Sequence, residues 1–160
     1  MSVLIKFHSA LIVLLLIAIN CHAQKSSDVQ SAIAEIVKKY ETTDGVTCTT
    51  VSKGNGLNLV KMMFNQEFGK EFMKGVTGIT IIEYTDASEE TCTALHKDLD
   101  VFLTLLEEFD VSKEEKYEGN DYIRCFADVS DSQTISDFIM AMEDDESKML
   151  MYMSGKIKIE

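Results

Sequence analysis

Three segments near the end of the chain decide the fold: Tyr122-Ile-Arg-Cys-Phe-Ala-Asp-Val129, Thr134-Ile-Ser-Asp-Phe-Ile-Met-Ala-Met-Glu143 and Lys148-Met-Leu-Met-Tyr-Met-Ser-Gly-Lys-Ile-Lys-Ile159. Each alternates with a period of two, the period at which a strand sends successive side chains to opposite faces. Turn residues separate them, Asp131-Ser-Gln133 and Asp144 to Ser147, so the three read as an antiparallel meander. The second turn sets Glu143 opposite Lys148, Met142 opposite Met149, Met140 opposite Met151 and Phe138 opposite Met153. The first sets Phe126 opposite Phe138, Arg124 opposite Met140 and Tyr122 opposite Met142.

This register sorts the meander into two faces. One carries Ile123, Cys125, Ala127, Val129, Ile135, Ile139, Ala141, Leu150 and Tyr152, the expected core under the helices. The other carries Tyr122, Arg124, Phe126, Phe138, Met140, Met142, Met149, Met151 and Met153, rimmed by Asp128 and Ser136. A slip of one residue in any pairing would turn that strand's whole set over. Three readings compete for the methionine-rich face. It is a second small core covered by a helix or the N-terminal segment; or an exposed contact surface, since Tyr, Phe, Met and Arg are enriched at interfaces and Met adapts to irregular partners; or a thioether site for Cu(I), which no Met-x-x-Met cluster or histidine supports. The contact surface is the reading that carries a function, and its nine residues are the candidate binding residues.

Working outward from the meander, Val111 to Glu118 reads as a further strand joined to Tyr122 through a hairpin at Gly119-Asn120. Before it, apolar residues at Cys92, Leu95, Leu99, Phe102, Leu103 and Leu106 mark a long helix that Ser88 and Thr91 begin, with Glu89 and Glu90 at its dipole-positive end. Ile79 to Tyr84 is apolar on both faces and reads as a central strand. Leu57 to Met73 is broadly apolar and helical, with a break expected near Gly69. Val46 to Val51 is a strand, and Val29, Ile33, Ile36, Val37 and Tyr40 form the stripe of a first helix. The expected class is α+β: one mixed, mostly antiparallel sheet ending in the meander, with about three helices mainly on one face.

The leader MSVLIKFHSALIVLLLIAINCHA has one cation at Lys6 and an apolar run of about ten residues, short of the ~20 that span a bilayer. It reads as a cleavable signal peptide of residues 1–23, cut after Ala23, with 24–160 a single domain. Lipidation at Cys21 is disfavoured, because Ala18, Ile19 and Asn20 do not form a lipobox. The expected localisation is periplasmic or secreted. The net charge is −12 and loss of Lys6 takes it to −13, which argues against nucleic acid and anionic membrane surfaces as partners. Cys48, Cys92 and Cys125 have wide spacings and no C-x-x-C motif, and read as buried free thiols.

No catalytic constellation stands out. His96 is the single histidine beyond the leader, lies off the apolar stripe, and reads as a solvated surface residue. It cannot alone make a zinc site. Glu143-Asp-Asp-Glu146 lacks calcium-loop spacing, and Lys53-Gly-Asn-Gly56 lacks a P-loop signature. No cofactor is expected.

Several motifs together resemble a known family. The leader ending in Ala-Gln, Lys-Lys-Tyr40, DGVTCTTVSKG over 44–54, GITIIEY over 78–84 and KMLMYMSGKIKI over 148–159 are similar to the exported Bacteroidetes family catalogued as domain of unknown function 4252. The resemblance covers about residues 29–159. It implies export, a single domain and the meander, and brings no catalytic or binding residues. The functional expectation is an exported, non-enzymatic interaction module using the Met/Phe/Tyr face for a protein partner or self-association; an enzyme of unrecognised type or an apolar small-ligand binder is the alternative.

Overall fold

The computed structural model describes residues 26–104, 106–109, 122–131, 133–144 and 146–158. The signal peptide expected over 1–23 and the strand expected over Val111–Glu118, with its Gly119-Asn120 hairpin, lie outside these residues. In chain order the elements are α1 (Ser26–Tyr40), β1 (Thr47–Val51), α2 (Gly54–Phe68), α3 (Lys70–Gly75), β2 (Val76–Glu83), α4 (Glu89–Leu103), β3 (Glu107–Phe109), β4 (Tyr122–Asp131), β5 (Thr134–Glu143) and β6 (Lys148–Lys158). The strands form one sheet in the order β1-β2-β6-β5-β4-β3, and every neighbouring pair is antiparallel. The α+β class and the C-terminal meander are as the sequence implies. β2 lies between β1 and β6, which is why its isoleucines serve both faces.

Local chemistry explains the breaks between elements. Gly69, at φ 84°, ends α2 and starts α3, a left-handed position that glycine takes without strain. Ser88 caps α4: its Oγ accepts from Thr91 N at 3.2 Å. Asp144 Oδ1 accepts from the backbone of Glu146 and Ser147 at 2.9 and 2.7 Å, so the acidic turn closes on itself. Gly45, at φ 75°, passes so close to the next loop that a Cβ there would lie 2.3 Å from the Asp86 carbonyl oxygen.

The sheet buries both faces. The helices, expected mainly on one face, divide two and two. On one face α1 and α4 pack Val29, Ile33, Leu95 and Leu99 onto Phe126, Ile139, Ala141, Leu150 and Tyr152. On the other, α2 and α3 pack Leu57, Phe68, Phe72 and Met73 onto Phe138, Met140, Met142, Met151 and Met153. Phe138 meets Phe68 and Phe72 edge-on, with ring centroids 5.9 and 5.7 Å apart.

The β5–β6 register is the expected one: Glu143 opposite Lys148, Met142 opposite Met149, Met140 opposite Met151 and Phe138 opposite Met153. The β4–β5 register is one residue away from expectation. Cys125 faces Met140, Phe126 faces Ile139 and Arg124 faces Ala141. The cause is a bulge: between the pairs Asp128–Asp137 and Val129–Ile135, β5 spends two steps for one on β4, leaving Ser136 extra. The slip turns β4 over. Cys125 and Ala127 join the methionine cluster, and Phe126 joins the α1/α4 core. Steric fit favours this register, because the small Cys125 and Ala127 sit opposite Met140 and Phe138 while the large Phe126 sits opposite Ile139.

Candidate functional site

The nine candidate binding residues do not form an exposed face. Phe138, Met140, Met142, Met151 and Met153 lie in the core beneath α2 and α3, with Met140, Met151 and Met153 at 0 % exposure. Met149 packs partly buried against the same cluster. Phe126 is buried on the opposite face, and Arg124 follows it there through the register slip. The side chain of Tyr122 lies outside the described residues; its backbone pairs with Glu143. The exposed-contact reading of this face is therefore corrected. α2 supplies the cover, because Leu57, Phe68 and partly buried Val60 and Phe64 need an apolar floor, and the alternating Met and Phe side chains of β5 and β6 provide it.

The apolar surface that remains in solvent lies on the other side of that same helix. Leu59, Met62 and Met63 are 60, 69 and 65 % exposed. At spacings of three and four they form one stripe, continued by exposed Asn55, Asn58 and Gln66. This stripe carries no charge, in a chain of net charge −12. By contrast, α4 exposes Glu89, Glu90, Lys97 and Asp100. A helix that is apolar on both sides is ordinarily buried on both sides. Residues 53–74 also hold four lysines (53, 61, 70 and 74) against two glutamates (67 and 71), so the stripe sits in a locally basic part of an acidic protein.

A second constellation lies on the α1/α4 face, at the C-terminal end of β5. Tyr84 Oη donates to Glu143 Oε1 at 2.8 Å, and His96 Nε2 contacts the same oxygen. The His96 and Tyr84 rings meet edge to face at 5.8 Å. The imidazole is thus held by a carboxylate and packed on a phenol, which corrects the reading of His96 as a solvated residue. Cys92, one helical turn earlier, is buried, with Lys148 Nζ 3.9 Å from its Sγ. Beside this cluster is a cavity of about 220 Å³ lined by Tyr84, His96, Leu99, Asp100, Leu103, Arg124 and Ala141. It exists because the register slip sets the small Ala141 opposite Arg124. Arg124 lies 4.9 Å above the Phe126 ring and 3.7 Å from Asp100 Oδ1.

A larger groove of about 360 Å³ runs between α1 and the strands β1, β2 and β6. Its walls include Ile33, Ala34 and Val37, and its floor includes Thr50, Thr80 and Ser154. Tyr152, which lines this groove, donates to Asp137 Oδ1; on the β4–β5 pair, Ser136 Oγ donates to Asp128 Oδ2 at 2.9 Å. Burial first, and then the Asp137 carboxylate, push the Tyr152 phenol well above its ordinary range, so it acts as a fixed donor.

Cys48, Cys92 and Cys125 are free thiols, with Cys92 and Cys125 buried and Cys48 partly so. Burial, assisted by Glu41, pushes the Cys48 thiol up. Among the described residues no cluster of three or more His, Cys, Asp and Glu side chains is placed to hold a metal ion, and no helix is long and apolar enough to cross a membrane. Comparison with protein-family models, curated proteins and solved structures returned no match.

The sequence contains a signal for the α2 stripe. Leu57, Leu59, Val60, Met62, Met63 and Phe64 span too wide an arc for a helix with one buried side. His96 and Glu143, 47 positions apart, give no such local sign.

Proposed function

We propose that this chain is an exported, non-enzymatic binding module that holds a protein partner on the outer face of α2. The observation that carries the reading is the uncharged, solvent-facing stripe of Leu59, Met62 and Met63. Methionine and leucine on a helix surface adapt to an irregular apolar partner, and the surrounding lysines select one with an acidic margin. Export is supported by the leader's charge and apolar pattern and by the resemblance to the Bacteroidetes family, of which we take the chain to be a member.

The test is site-specific photocrosslinking in the native host, with a photoreactive residue at Met62 and a control at Val101, which is 70 % exposed on α4. The expected result is one discrete protein adduct at position 62 that is absent at 101 and is lost when Leu59→Asp and Met63→Asp are added. Adducts equal at both positions, or label transferred only to lipid at 62, would overturn the reading.

A further inference from the structure

We infer that the outer edge of β1 is a self-association surface, on which a second copy of this chain adds its own β1 antiparallel across a twofold axis at Thr49. β1 ends the sheet, and among the described residues it pairs with β2 alone. That pairing runs from Thr47 to Val51 without a bulge, so a regular row of backbone N–H and C=O groups faces outward. Sheet edges are ordinarily blunted by shortness, charge, proline or a bulge. The opposite edge, β3, is three residues long and reads Glu107-Glu-Phe109. β1 has none of these devices. Val46 to Ser52 contains no charged residue and no proline, and Thr47, Thr49 and Thr50 are exposed. The strand is also fixed before any partner arrives. Gly45 is pressed against the Asp86 carbonyl at its start, and the Thr50 and Thr80 hydroxyls meet at 3.1 Å.

Charge complementarity selects a second copy as the occupant. Thr47-Cys-Thr-Thr-Val51 pairs with itself over its whole length in a single antiparallel register, the one that sets Thr49 opposite Thr49 of the second copy. Thr47 then meets Val51 on the α2 side of the sheet, and Cys48 meets Thr50 on the α1 side. The same register brings exposed Asp44 of each copy alongside exposed Lys53 of the other. The twofold axis makes that contact twice, once at each end of the pairing. Over residues 44–53 the two charges cancel, in a chain of net charge −12, so the repulsion between two acidic molecules is relieved at this edge. An unrelated extended peptide would find the backbone groups without the matched ends. Five strand residues span about 17 Å, a contact smaller than a standard interface, so the dimer is reversible. The edge shares no residue with the α2 stripe, and this inference stands independently of the partner reading.

The experiment is sedimentation velocity of the chain over a concentration series, which should show a reversible monomer–dimer equilibrium. Thr49→Lys sets two cations against each other across the axis and should weaken the dimer by about tenfold or more. Thr49→Asp should do the same. Mixing the two variants should restore a heterodimer, a rescue that damage to the fold would not allow. Leu59→Asp with Met63→Asp should leave the equilibrium unchanged, which separates this edge from the α2 stripe. A chain that stays monomeric at every concentration would overturn the inference; if its β1 amides are then protected from hydrogen exchange, another segment of the same chain covers the edge. A dimer insensitive to Thr49→Lys, one lost through the α2 changes instead, or a mixture that fails to dimerise would overturn it equally.

Discussion

Methionine truncation at two positions separates the buried and exposed sides of this protein with one chemical change. Met151→Ala removes three heavy atoms from a side chain at 0 % exposure, between Met140 on β5 and Ile81 on β2. At about 0.8 kcal/mol per methylene-sized group, the transfer term is about 2.4 kcal/mol. The cavity left under α2 adds to it, placing the total at about 3–4 kcal/mol, within the range for buried methionine. With an unfolding entropy of roughly 2.1 cal/mol/K per residue, a domain of this size loses about 10 °C in midpoint for 3 kcal/mol. Met62→Ala removes the same atoms from a side chain that is 69 % exposed, and should change stability by no more than about 0.5 kcal/mol. Chemical denaturation of both variants, with unchanged slope, gives the two numbers. Equal losses, or a loss at position 62 larger than at 151, would refute the assignment of α2 as the lid of a methionine core.

Further outcomes follow from other contacts. Asp98 accepts from Lys39 and Tyr40 and ties α4 to α1; the Lys39 bond first, then Tyr40, hold its carboxyl below the usual range. A depressed carboxyl stabilises the fold above its unfolded-state pKa and loses that contribution as pH falls through the folded value. The stability gap between the native chain and Asp98→Asn should therefore be flat from about pH 5 to 8 and close below about pH 4 in pH-dependent melts. Tyr40→Phe removes one hydrogen bond and should cost about 1 kcal/mol by denaturant titration. Gly75→Ala drives a Cβ to 2.1 Å from the Lys156 carbonyl oxygen, beside Gly155, and should cost well over about 1 kcal/mol in the same assay. All three thiols should alkylate in denaturant without reductant, and in the folded chain Cys48 should react first; a single reactive thiol in denaturant would mean a disulfide. Intact mass of the protein from its native host should correspond to a start at Gln24 without lipid.

The meander was legible because its period of two and its turns are local signals. β5 and β6 pair as Asp144 to Ser147 dictates, since that turn fixes where the strands start. β4 was misread by one residue because the bulge at Ser136 leaves no mark in hydrophobic alternation: Asp128 and Asp137 become partners only through it. That residue decided the site, for it carried Arg124 across the sheet and opened the cavity opposite Ala141. The helix break at Gly69 and the cap at Ser88 are single-residue chemistry and were readable. Which helix covers which face was not, because both faces of β5 are apolar and neither pattern names its partner. Gly45 and Gly155, within the most specific motifs of the family resemblance, mark close backbone approaches rather than a catalytic loop.

The most direct test of this architecture is a methionine oxidation footprint of the folded chain, read by mass spectrometry against the chain in denaturant. Solvent-facing thioethers oxidise freely and packed ones do not. Met62 and Met63 should oxidise in the folded chain nearly as fast as in denaturant, while Met140, Met151 and Met153 stay protected until the domain unfolds. Rapid oxidation of Met140, Met151 and Met153 alongside a protected Met62 and Met63 would contradict this architecture, and would return the contact surface to the sheet.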